Sequence, residues 1–290
     1  MSKPLSLDDF RAVRIVLEPD DFALGSKEEH PPSDLVDKDT WQGITTLTDD
    51  VSIRTSNHHG RSLKTLYNLY GAWIESIGEN QDYLFDTILD ATDEFQATTF
   101  NALNGYYRQA NGFLRSALEL ITIGTYCQVC AEATKYKEWR QGKEIKFGEA
   151  CDKLRTTAPV RALEFHVEMS VKDSFFAPKN VKITGGWARR LYSFLSDYAH
   201  TRPGFSSGDM WASNGPIYVG EAFKLTAEMC LEVSALCFIM IKLARPNFVL
   251  PKDAQQVFES PKIQQIKIAH VAYDYLFKNK RQVVANTSST

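Results

Sequence analysis

From Ser62 onward the chain repeats its apolar residues at helical intervals, and this limits the fold more than any other feature. In SLKTLYNLYGAWIESIG the residues Leu63, Leu66, Tyr67, Tyr70, Trp73, Ile74 and Ile77 follow an i, i+3, i+4 rule. Only an α-helix places that set on one face, and such a face needs other helices to cover it. Gly78 is positioned to stop the helix. The same period returns in DYLFDTILDATDEFQATTFNA from about Asp82, and then in GYYRQANGFLRSALELITIGTYCQVCAEATKY. A shorter amphipathic segment, WRQGKEIKFGEACDKLRTT, comes next. A loop is expected over 168–186, and a helix from about Trp187 to His200, stopped by Pro203 and Gly204. A long helix from about Glu221 to Ala244 and a last one from about Ile263 to Lys280 complete the pattern. The fold class expected is mainly α, a multi-helix bundle over residues 61–281.

Residues 1–60 read differently. They are polar, contain EEHPPSD, and alternate apolar with polar residues in RAVRIVLE and GITTLTDDVSI. Alternation of period two predicts short strands, so a short irregular or small-β N-terminal extension is expected there. The tail 282–290, ending in NTSST, is expected to fray.

Charge and cysteine usage exclude several classes. A net charge of −3 gives no global basic signature for nucleic acid, although a local patch remains compatible with it. The five cysteines are odd in number, and Cys127, Cys130, Cys230 and Cys237 fall in apolar helical stretches. They read as reduced, buried thiols of a cytoplasmic protein. Cys127 and Cys130 have C-x-x-C spacing, but no second pair completes a zinc site, and a helix precedes them where a thioredoxin-like motif needs a strand. No metal and no cofactor is expected. The N-terminus lacks the apolar core of a signal peptide, and no stretch reaches the ~18 uncharged apolar residues of a membrane span. The best candidate, CLEVSALCFIMIKLA, is interrupted by Glu232 and Lys242. No membrane partner is expected.

Phosphate-binding glycine loops and the H-E-x-x-H and G-x-S-x-G signatures are missing from the sequence. His58 and His59, in SNHHGRS, read as a solvated turn, and His166 and His270 as single packing or surface residues. The third helix carries more. Arg108, Asn111 or Gly112, Arg115, Glu119 and Thr122 line one face, flanked by Ala110, Phe113, Leu114, Ala117, Leu118 and Ile121. Arg115 and Glu119 stand four residues apart and can pair. A charge in an apolar setting must be paired. The strip is therefore either an ion pair that fixes helix register or a polar groove in which Arg115 meets an anion or phosphate. The helix ending at His200 shows a similar split. Leu191, Phe194, Leu195 and Tyr198 form its apolar stripe, Arg189, Ser193, Ser196 and His200 a polar one, with Arg190 and Asp197 alongside. A histidine at a helix C-terminus is favoured as imidazolium. It can act as a general acid or simply bond the last carbonyls.

The run Y-x-x-x-x-x-x-L-R-S-A-L-E-L from Tyr107 and the run L-Y-x-x-L-S-x-Y-x-H ending at His200 together resemble bacterial helical domains of the HEPN superfamily, over about residues 62–245. The resemblance implies a bundle of four or five helices. It also implies one of two roles: a metal-independent ribonuclease in defence or toxin–antitoxin systems, or a non-catalytic partner. Catalytic members pair an arginine with a histidine four to six residues later, usually across a dimer. Here those positions hold Phe194, Leu195 and Ser196. Arg190 lies ten residues before His200, ~15 Å along a continuous helix by the usual rise. Arg202 or Arg115 would have to supply the charge instead.

On this reading His200, Arg190, Arg115 and Glu119 are the candidate catalytic residues. Arg108, Asp197 and Arg202 are candidate ligand contacts, together with Trp211 and Asn214 from the turn-rich segment DMWASNGPIY, which serves either as a recognition loop or as a plug for the bundle. The partners expected are RNA or a nucleotide, and a second copy or another protein. A non-catalytic interaction or dimerisation module and a small-ligand sensor are the competing functions.

Overall fold

The computed structural model describes residues 37–79, 81–177, 185–199 and 215–278. The chain divides into two compact units, Met1–Thr46 and Leu47–Thr290. In the first unit only residues 37–46 are described, and there Asp37 caps the opening turn, accepting from the Thr40 amide at 2.8 Å. RAVRIVLE lies outside the described residues.

Eleven helices and one π turn are present among the described residues, and no strand. They are α1 (Lys38–Ile77), α2 (Tyr83–Leu103), α3 (Tyr107–Val129), α4 (Ala133–Arg140), α5 (Phe147–Arg155) and α6 (Ala158–Val171). They continue with α7 (Trp187–Ala199), α8 (Gly220–Ala244), α9 (Lys252–Glu259), α10 (Pro261–Gln265), α11 (Lys267–Tyr273) and the π turn Asp274–Lys278. The mainly α bundle is the architecture the apolar period predicts. No helix among the described residues is long and apolar enough to cross a membrane.

GITTLTDDVSI is not a strand but part of α1. Its apolar residues Ile44, Leu47 and Val51 also satisfy i, i+3, i+7, so a short alternating run fits either period. The helix wins with its threonines folded back on it: Thr55 donates to the Val51 carbonyl at 2.8 Å. The expected boundary at residues 60 and 61 falls inside α1, beside a kink at His59 (φ −128°, ψ 24°). SNHHG thus spans the kink that divides α1 into two helical stretches.

The core is centred on α8, most of whose residues are buried, packed against α2 and α3. Trp73 of α1 stacks between Phe95 of α2 and Phe238 of α8, with ring centroids 4.4 and 4.5 Å away. Helices α2 and α3 form a tight antiparallel pair. At Gly124 a β-carbon would come within 2.2 Å of the Thr87 hydroxyl oxygen, so only glycine permits the approach. Gly105, at φ +80°, makes the turn between them, and a β-carbon there would strike the Ile217 carbonyl at 2.4 Å.

The remaining helices surround this core. α5 and α7 pack on α3, α9 to α11 pack on α8, and α6 packs on α11. The amphipathic segment 139–157 is broken by Gly142 (φ +95°) into the end of α4 and all of α5. α6 extends into the expected loop as far as Val171, where Lys172 turns left-handed (φ 54°). The expected helix 263–280 is instead α10, α11 and the π turn, and α9 precedes it without having been expected.

Candidate functional site

The polar strip of α3 faces α7. Arg115 engages each of its three guanidinium nitrogens: Nε donates to Ser196 Oγ at 3.2 Å, Nη2 donates to the Tyr192 hydroxyl, and Nη1 pairs with Glu119 at 3.3 Å. Its guanidinium carbon lies 4.7 Å from the centre of the Tyr192 ring. Tyr192 stacks on Phe147 of α5 at 3.8 Å between centroids, nearly parallel. Burial, followed by the Glu119 carboxylate, pushes the Tyr192 phenol up to about 12, so it remains a neutral hydroxyl. Arg115 and Glu119 keep 23% and 29% of their side-chain surface exposed, so the cluster lies at the lip of a seam rather than inside a cavity.

Two turns earlier on the same strip, Arg108 is buried and its Nε donates to the Tyr198 carbonyl at 3.0 Å. Tyr198 is the penultimate residue of α7, so Arg108 places a cation against the negative end of that helix. Asn111 bonds Thr226 of α8 at 3.3 Å, and Thr122 folds back on the Leu118 carbonyl. The strip is thus a ladder of contacts from α3 to its neighbours.

The arginines of α7 face elsewhere. Arg190 makes a two-pronged ion pair with Asp173, at 2.9 and 2.7 Å. Burial pushes the Asp173 carboxyl up, but the bonds from Arg190 and the Ser174 amide together hold it below its usual range. Arg189 bonds Asp152 at 2.6 Å and the Gly148 carbonyl at 2.8 Å. Asp173 belongs to a brace that seats the start of α7. Buried Glu164 of α6 accepts from the amides of Phe175 and Phe176 and from Ser174 Oγ, at 2.6 to 2.9 Å. The Ser174 and Phe175 carbonyls then accept from the first amides of α7.

Arg115 and Glu119 therefore come together, joined by Tyr192 and Ser196, while Arg190 is bound into the opposite brace. Asp197 is exposed on α7, away from the buried residues Leu191 and Leu195. His200, Arg202, Trp211 and Asn214 lie outside the described residues. Sequence reasoning missed Tyr192, Asp173 and Glu164 as partners. Their signal was the polar residue opposite each arginine, which sequence spacing cannot assign across helices. A cleft lined by Asp86, Tyr136 and Arg140 and another lined by Thr65, Lys224, Glu228 and Gln256 include none of Arg115, Glu119 and Arg190.

Thiol and imidazole chemistry is muted. Burial pushes the thiols of Cys127, Cys151 and Cys230 up to about 12 and that of Cys237 well above its ordinary value. His59 is not solvated as expected: it stacks on Phe223 at 4.9 Å, and its Nε2 lies 3.2 Å from the Tyr218 hydroxyl. Burial lowers its pKa, and Lys224 and His58 act in the same direction. Among the described residues no group of three or more histidines, cysteines, aspartates or glutamates is placed to hold a metal ion. Comparison with family models, with curated proteins and with solved structures finds no match to this chain.

Proposed function

We propose that this chain is a non-catalytic helical interaction module, HEPN-like in its bundle, whose polar seam fixes helix register instead of handling phosphate. The observation that carries this reading is the engagement of Arg115. Every nitrogen of its guanidinium meets a partner within the fold, and Glu119 beside it would repel a phosphate. Arg108, Arg189 and Arg190 are likewise engaged, by a helix carbonyl or by a carboxylate. A phosphate would have to displace these contacts, and the net charge of −3 offers no general attraction to compensate.

The test uses the full chain with labelled single-stranded RNA at near-physiological salt, in the presence of a chelator. No cleavage and no binding below about 100 μM is expected, since even non-specific binders fall in or below that range. Cleavage lost in His200→Ala or Arg115→Met protein that still melts cooperatively would overturn the reading in favour of a metal-independent ribonuclease. RNA binding in the low micromolar range, weakened by the same changes, would also overturn it.

A further inference from the structure

Helix α6 is apolar on two opposite faces. One face, Val160, Leu163 and Val167, is buried in the bundle beside Glu164. On the other, Ala158, Ala162, Phe165 and Met169 are all exposed, Phe165 at 68% and Met169 at 74%. At 100° per residue these four lie within an arc of about 60°, diametrically opposite the buried set. Their spacing of four, three and four residues is that of a coiled-coil seam. Scattered exposed apolar residues are ordinary, but an unbroken stripe with two large side chains is a docking feature.

We infer that this stripe is a self-association surface, on which α6 of a second copy packs antiparallel about a two-fold axis passing between Leu163 and Glu164. The order of residue sizes and charges specifies that occupant. With the axis there, Phe165 faces Ala162 of the second copy and Met169 faces Ala158, so each large side chain meets a small one. Two large residues would collide in the register that sets Phe165 against itself. Arg161 and Glu168 lie together on one flank of the stripe, both exposed and neither in an ion pair within the fold. An antiparallel two-fold brings like flanks together, so Arg161 meets Glu168 of the second copy twice, once at each end. The opposite flank carries Pro159, His166 and Ser170, with no like charges to oppose the pairing, and His166 is already stacked on Tyr275 at 4.7 Å. A parallel two-fold would set Arg161 and Glu168 against the opposite flank, Pro159, His166 and Ser170, where they find no charge to pair with, and is disfavoured.

A helix of 14 residues is about 21 Å long, and one such face buries less than a standard interface of about 1,600 Å². The association is therefore weak, with a dissociation constant of about 10–100 μM.

The inference rests on reading the chain as an interaction module and names one of its partners. Sedimentation equilibrium of the full chain from about 1 to 300 μM tests it. A monomer–dimer equilibrium is expected, and Phe165→Asp or Met169→Lys abolishes it without lowering the melting temperature, because both side chains are exposed. Arg161→Glu and Glu168→Arg each weaken the dimer about tenfold, and the two together restore it. A monomeric wild type at the highest concentration overturns the inference, as does a dimer indifferent to Phe165 and Met169, or charge changes whose effects add instead of cancelling. Those failures would redirect the search to another surface or another protein. RNA cleavage, by contrast, would end the non-catalytic reading and leave the dimer result standing.

Discussion

Arg245 grips the carboxylate of Asp82 with two parallel hydrogen bonds, Nε to Oδ2 at 2.8 Å and Nη2 to Oδ1 at 2.5 Å. Asp82 is also the N-cap of α2, accepting from the Leu84 and Phe85 amides at 3.0 Å. Nη1 of Arg245 donates to the Ser76 and Ile77 carbonyls, the last of α1. One side chain, itself just past the end of α8, thus secures the end of one helix and the start of the next. Only 11% of its surface is exposed, so little solvent is available to replace a lost partner. Arg245→Met is expected to destabilise the fold by about 3 kcal/mol in urea unfolding, within the range for breaking a buried pair. Asp82→Asn retains a capping oxygen and is expected to cost less. Equal costs for the two would show that the ion pair, and not the bonds from Arg245 to the Ser76 and Ile77 carbonyls, dominates.

The α3–α7 seam makes a prediction about coupling. Tyr192→Phe removes one hydroxyl that accepts from Arg115 and is expected to cost about 1 kcal/mol. In an Arg115→Met background the same change is expected to cost almost nothing, because the donor is already gone. A double-mutant cycle on thermal or urea unfolding measures the difference, and two independent costs would mean that the hydroxyl and the guanidinium do not act together.

Glu94 on α2 gives a pH dependence. Burial raises its pKa above 4.5, and Asp90 and Asp93 push in the same direction. One carboxylate oxygen, Oε2, is buried with no hydrogen-bond partner. Since the folded pKa is higher than the unfolded one, the folded state binds more protons, and stability from this group falls as pH rises from about 4.5 through the folded value. Glu94→Gln is expected to raise the melting temperature at pH 7 and to match wild type near pH 4. An advantage that persisted unchanged at low pH would point to packing instead of charge.

Local signals in the sequence carried well into the structure. Gly78, now seen at φ +68°, ends α1, Asp82 caps α2, and the apolar stripes of α3 and α8 are the buried ones. The Arg115–Glu119 pair was legible because an i, i+4 contact is set by helix geometry alone. What spacing could not show was which residue on another helix completes each contact. Arg190 meets Asp173 and Arg108 meets the Tyr198 carbonyl because of how the helices dock, and no local rule encodes that. The α1 error arose because β-branched residues in an alternating run favour a strand, while one helical turn after another also fits. Arg245 follows the last residue of α8, and its use as a clamp depends on three helix ends converging, which no local pattern encodes.

The distribution of thiols has a practical consequence. All five cysteines are free, and Cys130 alone is even partly exposed. In the folded protein a maleimide therefore has one slow target, and four more thiols open to it when the bundle unfolds. The chain carries its own single-site label for spectroscopy and its own counter for unfolding, with no cysteine needing to be added or removed.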